Sequence, residues 1–299
     1  MTYHDRLRIR SRIAPFATVL RFTRAFALMI ISSPSAVGAG IPPQERHVTV
    51  GTRRLFVSCS GDAAGAATVV LIAGGSFSTE VWNRIQDPLS RSARVCSFDR
   101  AGVGRSDPSP RPQTAEEIVA DVYVLLRQAR EEPPYVLVGH SVGGIYVRMF
   151  AARYPDSIGA LVLVDSAHEE QIWRLAAIAP ALVDAEYGSA WRDLRARKDL
   201  GFLGDGEILN WQTKVPLIVL QQGRALPERP ELGLTTAAIP QVTALWQSLQ
   251  KDLASRSPSG ELRTAQRSGH FIQADEPEQV VQAVRDVLDR IRPSIARPQ

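Results

Sequence analysis

The chain has 299 residues, of which 44% are hydrophobic and 22% are charged. This balance is typical of a globular protein with one large α/β domain or two small domains. It excludes wholesale disorder, a collagen-like chain and a protein with several membrane spans, and the two cysteines exclude a cysteine-rich zinc site or a disulfide-rich scaffold.

The net charge of +4 is concentrated in residues 1–40, which carry six arginines and one acidic residue. Residues 41–299 carry 29 basic and 30 acidic side chains, a net charge of −1. A nucleic-acid groove requires basic residues clustered in the folded part, so we expect no nucleic-acid partner.

Residues 1–40 follow the order of a secretory signal. Arginines precede the short apolar run Ala25–Ile31, and the small residues Ala36–Gly40 follow it. The run is too short to span a bilayer. We expect a signal peptide cleaved near Ala39 or an N-terminal anchor, and hence export to the periplasm or the medium, with membrane association only through this segment. A disordered basic tail and a transit peptide are the alternatives.

From about Gln44 onward, short apolar runs alternate with longer helical patterns. The predicted strands are Arg46–Val50, Arg54–Cys59, Thr68–Ile72, Arg94–Phe98, Tyr135–Val138, Leu161–Val164, Val215–Leu220 and Leu262–Ala265. The predicted helices are Ala115–Arg130, Ile145–Arg153, Gln241–Leu253 and Pro277–Ile291. This alternation indicates an α/β protein whose mostly parallel sheet is covered on both faces and places its chemistry at the carboxyl ends of the strands.

One strand–helix junction carries a reactive serine. Gly139-His140-Ser141-Val142-Gly143-Gly144 joins the strand Tyr135–Val138 to the helix that begins near Ile145. The pattern G-x-S-x-G in this context forms a sharp turn that exposes the serine, and its glycines let the two backbones approach. A tight turn with an idle serine is the alternative.

This turn, the stretch Phe98–Pro108 and the segment Ser268-Gly269-His270-Phe271 resemble three ordered signatures of the α/β-hydrolase family, and the resemblance covers about residues 44–292. It implies an eight-stranded, mostly parallel sheet whose second strand is antiparallel, and a serine nucleophile with a histidine base and an acid. In the family the turn at 98–108 is structural. It lacks a full dinucleotide fingerprint, and the sequence shows no metal-ligand cluster, so neither a cofactor nor a metal is expected.

The resemblance assigns the base to His270. Of the other histidines, His4 lies in the leader, His47 lies on an early strand, and His140 is expected to point away from Ser141. His168 is the only rival, and a polar residue at the rim is its alternative reading.

The acid is less directly assigned, because no carboxylate precedes Glu228 after the strand Val215–Leu220, where many family members carry it. Asp165 follows directly on the strand Leu161–Val164 and is the predicted acid. Glu228 and Glu231 are the alternatives, and Asp165 would then be a helix cap or a loop hydrogen-bonding residue.

The oxyanion formed in acyl transfer needs two N–H donors. The resemblance points to the amide of Val142 and to the loop Ala73–Ser76, where we favour the Gly75 N–H and next Ser76. A simple glycine turn is the alternative.

Residues 166–214 separate two strands by more than a normal loop. In the family such an insertion is a helical cap, and the core would be 41–165 and 215–299. Helical patterns lie around Glu170–Ala179 and Ser189–Leu200. The segment also carries aromatic residues that either pack the cap onto the body, which we favour, or line an apolar pocket: Trp173, Tyr187, Trp191, Phe202 and Trp211.

Cys59 and Cys96 fall on strands that the family fold makes neighbours, so an exported protein would permit a disulfide between them, with two reduced thiols as the alternative. The sequence therefore predicts a serine hydrolase of small-molecule carboxylic esters or lactones. A lyase or perhydrolase that uses the same residues, and a non-catalytic ligand-binding protein, are the alternatives.

Overall fold

An eight-stranded sheet forms the centre of the computed structural model, which describes residues 43–62, 67–111, 113–188, 192 and 211–295. In chain order the strands are β1 (Gln44–Val50), β2 (Arg53–Ser60), β3 (Thr68–Ile72), β4 (Arg94–Phe98), β5 (Tyr135–His140), β6 (Ile158–Val164), β7 (Leu217–Gln222) and β8 (Gly260–Ala265). Their spatial order is β1-β2-β4-β3-β5-β6-β7-β8. Strand β2 runs antiparallel to both of its neighbours, whereas the remaining pairs are parallel. The predicted sheet is therefore confirmed.

The helices among the described residues cover both faces of the sheet. They are α1 (Asn83–Ser90), α2 (Ala115–Gln128), α3 (Gly143–Arg153), α4 (Gln171–Ala176), α5 (Pro180–Tyr187), α6 (Ala238–Ser255), α7 (Ile272–Asp275) and α8 (Pro277–Ile295). Alternate residues of β3 point to opposite faces: Val70 packs in the cluster that contains residues of α2 and α3, and Val69 in the cluster with α1 and α8. Because both faces are buried, the central strands are almost wholly apolar.

Helix α2 shows how local sequence fixes an element boundary. The Thr114 side chain accepts from the Glu117 amide, and the Glu117 carboxylate accepts from the Thr114 amide, which is a complete capping box. The predicted apolar stripe from Ile118 to Leu126 is buried. The helix therefore begins at Ala115 as the sequence predicts.

Strand β7 lies two residues further along the chain than its prediction of Val215–Leu220. Pro216 has no N–H to donate to a sheet, and only its carbonyl takes part, accepting from the Leu161 amide at 2.9 Å. The shift brings Gln221 and Gln222 into the strand.

A disulfide joins β2 to β4. Cys59 and Cys96 are direct partners in the antiparallel register, their Cα atoms lie 4.1 Å apart, and the S–S bond measures 2.09 Å. Of the two alternatives in the sequence, the structure contains the disulfide, and both cysteines are buried.

The connection from β6 to β7 is described only in part, through α4 and α5. These helices form a small apolar cluster with α6 and the connection that precedes it, centred on Ala179, Leu182, Leu234 and Val242. Trp173, Tyr187 and Trp211 pack against the main core, whereas Trp191 and Phe202, like the helical pattern Ser189–Leu200, lie outside the described residues.

The leader, residues 1–40, also lies outside them, since the described residues begin at residue 43. Within the described ranges, no helix combines the length and the apolar character that a bilayer crossing requires.

Candidate active site

Ser141 lies at the tight turn between β5 and α3, with a backbone φ of +54°. A side chain at Gly139 would lie 2.5 Å from the Gly143 carbonyl oxygen, and one at Gly144 would collide with the Ser166 side chain. The turn is held by the Ser141 amide, which donates to the Val164 carbonyl at 3.1 Å, and by the Ser141 carbonyl, which accepts from the Ala167 amide at 2.9 Å. The glycines therefore allow the close approach that presents Ser141 at the amino end of α3.

Asp165 and His270 form a hydrogen-bonded pair at the carboxyl ends of β6 and β8. His270 Nδ1 lies 2.7 Å from Asp165 Oδ2, the aspartate side chain is fully buried, and the imidazole is 37% exposed. Because an ionised carboxylate only accepts hydrogen bonds, Nδ1 carries the proton and Nε2 has a free electron pair. The ring can therefore accept a proton at Nε2.

The other oxygen of Asp165 is bound as well. Asp165 Oδ1 accepts from the Trp246 indole Nε1 at 2.8 Å and from the Gln222 amide at 2.9 Å. Both donors were missed by the sequence interpretation, because Trp246 is 81 residues away in the chain and a backbone amide leaves no motif. The Gln222 amide could be anticipated only from the extension of β7 to Gln222.

His140, which the sequence suggested would point away from Ser141, lies against His270. Its Nε2 donates to the His270 carbonyl at 2.9 Å, and the two rings are 4.7 Å apart between centroids. Burial, together with the charge of a protonated His270, holds the pKa of His140 well below the ordinary histidine range. His140 is therefore neutral and connects the serine turn to the loop of His270.

The rival residues lie elsewhere in the structure. His168 Nε2 contacts Asp252 at 3.0 Å and its Nδ1 accepts from the Glu170 amide, so both nitrogens are occupied. Glu228 and Glu231 are exposed, and Glu228 accepts from the Thr236 hydroxyl. Of the candidate acids, the structure brings Asp165 to His270.

The two predicted N–H donors border Ser141. Val142 is the N-cap residue of α3, where helix amides lack intrahelical partners and the helix dipole is positive. On the other side, a side chain at Gly74 would lie 2.7 Å from Ser141 Cβ, and the next residue, Gly75, has a φ of +43°. The loop Ala73–Ser76 therefore contacts the serine turn through Gly74.

The described residues offer one candidate metal-ligand group, Cys59, Cys96 and Glu131. Both cysteine sulfurs are joined in the disulfide and have no thiolate to offer, so these residues do not fit a metal site.

Comparisons with known proteins agree with this fold. A family model of the α/β hydrolase fold matches residues 67–207. The uncharacterized protein YqjL of Bacillus subtilis is 28% identical over 238 residues, which are 75% of this chain and 84% of YqjL. Lipase LipV of Mycobacterium tuberculosis is 28% identical over 192 residues, 64% of this chain and 69% of LipV.

Four further relatives are much longer proteins, and this chain spans between 18% and 28% of their length. Among solved structures, the enol-lactonase from Burkholderia xenovorans LB400 superposes with a TM-score of 0.56 at 19% identity, over 82% of this chain and 100% of the lactonase. At this identity the superposition establishes the fold alone.

The family match, the sheet order and the serine turn together define the class. The chain belongs to the α/β-hydrolase family, and it is a hydrolase.

Proposed function

We propose that this protein is a serine hydrolase that cleaves a carboxylic ester or a lactone through an acyl-enzyme on Ser141. The observation that carries the proposal is the hydrogen bond between the buried Asp165 and His270 beside a serine turn with positive φ. The names of LipV, a lipase, and of the enol-lactonase support this choice of bond.

In the acylation step, Ser141 Oγ attacks the substrate carbonyl carbon while His270 Nε2 takes the hydroxyl proton. The carbonyl π electrons move to its oxygen, and the amides of Val142 and Gly75 donate hydrogen bonds to this oxyanion. Asp165 holds the imidazole in the required tautomer and stabilises its positive charge.

Collapse of the tetrahedral intermediate breaks the bond to the leaving oxygen, which receives the proton from His270. In a lactone the new hydroxyl stays attached to the acyl group. Water then attacks the acyl-enzyme with His270 as base, and the second collapse releases the carboxylic acid and the free Ser141 hydroxyl.

The direct test is labelling with a fluorophosphonate probe, followed by mass spectrometry and p-nitrophenyl ester turnover. We expect the label on Ser141, with labelling and turnover lost in Ser141→Ala and retained in Ser248→Ala, an exposed control serine. Turnover unchanged in Ser141→Ala would contradict the proposal. Labelling without ester or lactone hydrolysis would favour a lyase or perhydrolase, and no labelling would favour a binding protein.

The acid is tested by replacing the carboxylate with an amide. Asp165→Asn retains the shape but favours the wrong imidazole tautomer, so we expect turnover to fall by about four orders of magnitude. Glu228→Gln is the matched control with turnover near that of the wild type. The opposite ranking of these two variants would move the acid to Glu228, and Glu231→Gln completes the set.

The proposal includes export and a cap. The leader pattern in residues 1–40 directs the chain out of the cytoplasm, and the Cys59–Cys96 disulfide supports an oxidising compartment. Residues 166–214 form the cap over a core of 41–165 and 215–299. Helices α4 and α5, which pack on the connection after β7, support this division.

A further inference from the structure

Arg100 lies behind the loop that contacts Ser141. Its Nη2 donates to the Gly74 carbonyl at 3.3 Å and also to the Gly75 carbonyl. Its Nη1 contacts the Tyr146 hydroxyl at 3.2 Å, and the guanidinium lies over the Tyr146 ring. One side chain therefore binds two consecutive peptide carbonyls of the loop.

These two contacts set the direction of the loop amides. In a trans peptide the carbonyl and the N–H point to opposite sides of the chain. Binding of the Gly74 carbonyl thus fixes the Gly75 N–H on the side away from Arg100, and binding of the Gly75 carbonyl does the same for the Ser76 N–H. The loop reaches Ser141 through Gly74, where an added Cβ would lie 2.8 Å from the His140 carbonyl oxygen.

Such a loop needs an external anchor. Gly74 and Gly75 are consecutive glycines, and Gly75 has a positive φ, so rotation of the peptide between them meets little steric resistance. A rotated peptide would present a carbonyl oxygen instead of an N–H donor to the substrate, and a carbonyl oxygen would repel the oxyanion.

The surroundings of Arg100 indicate that its charge acts on this loop. Arg100 is only 9% exposed, yet within the described ranges its hydrogen-bond acceptors are two carbonyls and a phenol, with no carboxylate in contact. The neighbouring Asp99 carboxylate is occupied by the amides of Thr79 and Arg105. A buried cation without an anionic partner is costly, and here it polarises the two peptides whose N–H groups face away from it.

We propose that Arg100 is a positioning residue that fixes and polarises the Gly74–Ser76 peptides as donors to the oxyanion. This inference rests on the proposed serine hydrolase and assigns a function to a segment that the sequence interpretation treated as structural.

The test compares Arg100→Ala and Arg100→Lys with Arg91→Ala, a control at an exposed arginine at the end of α1. Turnover of a p-nitrophenyl ester is measured alongside inhibition by a trifluoromethyl ketone, which forms a tetrahedral oxyanion on the serine. Loss of an oxyanion donor typically costs about 100-fold in kcat. We expect a loss of this order in Arg100→Ala with little change in KM, and a parallel loss of affinity for the ketone.

Lysine keeps the charge but cannot bind both carbonyls in the planar fork of arginine, so Arg100→Lys should be intermediate. Added guanidinium ion, below denaturing concentrations, should restore part of the kcat of Arg100→Ala and leave Arg91→Ala unchanged. If Arg100→Ala does not fold, judged by circular dichroism and thermal unfolding, Arg100→Lys decides the question.

A folded Arg100 variant with kcat within threefold of the wild type, or a kcat loss without a matching loss of ketone affinity, overturns the inference. Failure of the proposed function is distinct from this result, because wild-type protein would then show no labelling or turnover that depends on Ser141.

Discussion

Ser141 and Asp165 share an uncommon backbone conformation. Among the described residues, three that are not glycine have a positive φ: Arg130, Ser141 and Asp165. For a residue with a side chain, this left-handed conformation raises the energy of the folded state by about 1–3 kcal/mol. Contacts with the surrounding residues must therefore stabilise it. For Asp165 they include the hydrogen bond that its backbone amide donates to the Leu220 carbonyl at 2.7 Å. Two of the three strained residues thus belong to the candidate site.

Trp246 is the side chain that completes the environment of Asp165. Its indole N–H binds Oδ1 at 2.8 Å, while His270 binds Oδ2 at 2.7 Å. Because the two oxygens have separate donors, the carboxylate cannot rotate without losing one of them. Trp246 therefore orients the acid, and through it the imidazole.

We expect Trp246→Phe to lower kcat about 10-fold, because a hydrogen bond to a charged group contributes about 1.5–3 kcal/mol. The ring remains, so KM should change little, whereas loss of the hydrogen bond should lower the unfolding temperature by several degrees. Steady-state kinetics measure kcat and KM, and thermal unfolding measures the unfolding temperature. Trp211→Phe, at a buried tryptophan of the core, is the control for loss of an indole.

A double-mutant cycle separates orientation of the acid from general destabilisation. In the Asp165→Asn background, Trp246→Phe should have almost no further effect on kcat, since the group it orients has already been lost. Equal effects in both backgrounds would contradict a role that acts through Asp165.

At the scale of elements, a buried charge cluster joins the helix after Ser141 to the loop after Asp165. Arg148 on α3 pairs with Glu169 at 2.6 Å and donates to the Gly144 and Ala167 carbonyls. At the end of α6, Arg256 pairs with Glu169 and Asp252, and His168 contacts Asp252. The cluster thus fixes the elements that carry the serine and the acid relative to α6, which carries Trp246.

This cluster predicts a stepwise loss of stability in acid. Burial lowers the pKa of His168 and, more strongly, that of His140. Unfolding lets both take up protons, so the free energy of unfolding should fall once the pH drops below about 6.5. Burial opposes ionisation of Glu169, but Arg148, His168 and Arg256 lower its pKa to about 2. Its contribution is present above about pH 4.5 and is lost as the pH falls toward 2.

Urea unfolding between pH 8 and pH 5, at roughly half-unit steps, measures the first stage, in which each proton taken up contributes a slope of at most about 1.4 kcal/mol per pH unit. His168→Gln should have a shallower slope than the wild type, and His47→Gln, at an exposed position on β1, controls for removal of a histidine. An unchanged slope in His168→Gln would show that this residue does not contribute.

The elements differ in how far local sequence could predict them. The start of α2 and the turn around Ser141 depend on neighbouring residues, namely the Thr114–Glu117 box and the glycines of the turn, and both were predicted correctly. The contact of Trp246 with Asp165 and that of Arg100 with Gly74 depend on the tertiary fold. No local pattern encodes them, and the packing of Leu234 on α5 was likewise beyond the sequence.

For the whole molecule, the antiparallel edge of the sheet is attached by few pairings. Strand β2 pairs with β4 only over Val57–Ser60, and the hairpin of β1 and β2 has no other strand partner among the described residues. The Cys59–Cys96 bond crosses this pairing and encloses β3 and α1 within a sequence separation of 37 residues. The disulfide therefore fastens the edge hairpin to the parallel sheet.

In the chain-entropy account, a disulfide that closes a loop of this length stabilises a protein by about 3–4 kcal/mol. We expect the double variant Cys59→Ala/Cys96→Ala to have a free energy of unfolding, measured in urea, that is lower by this amount. Its kcat at low temperature should stay near that of the wild type, because Ser141, Asp165 and His270 follow β5, β6 and β8, which the disulfide does not join. Cytoplasmic reductants keep thiols reduced, so wild-type protein should reach full stability only when directed to the periplasm, where alkylation and mass spectrometry would find both thiols blocked. The single variant Cys96→Ala controls for the loss of one sulfur, and its stability should match that of the double variant. Equal urea midpoints for the oxidised wild type and the double variant would show that the bond does not stabilise this edge and would remove its support for export.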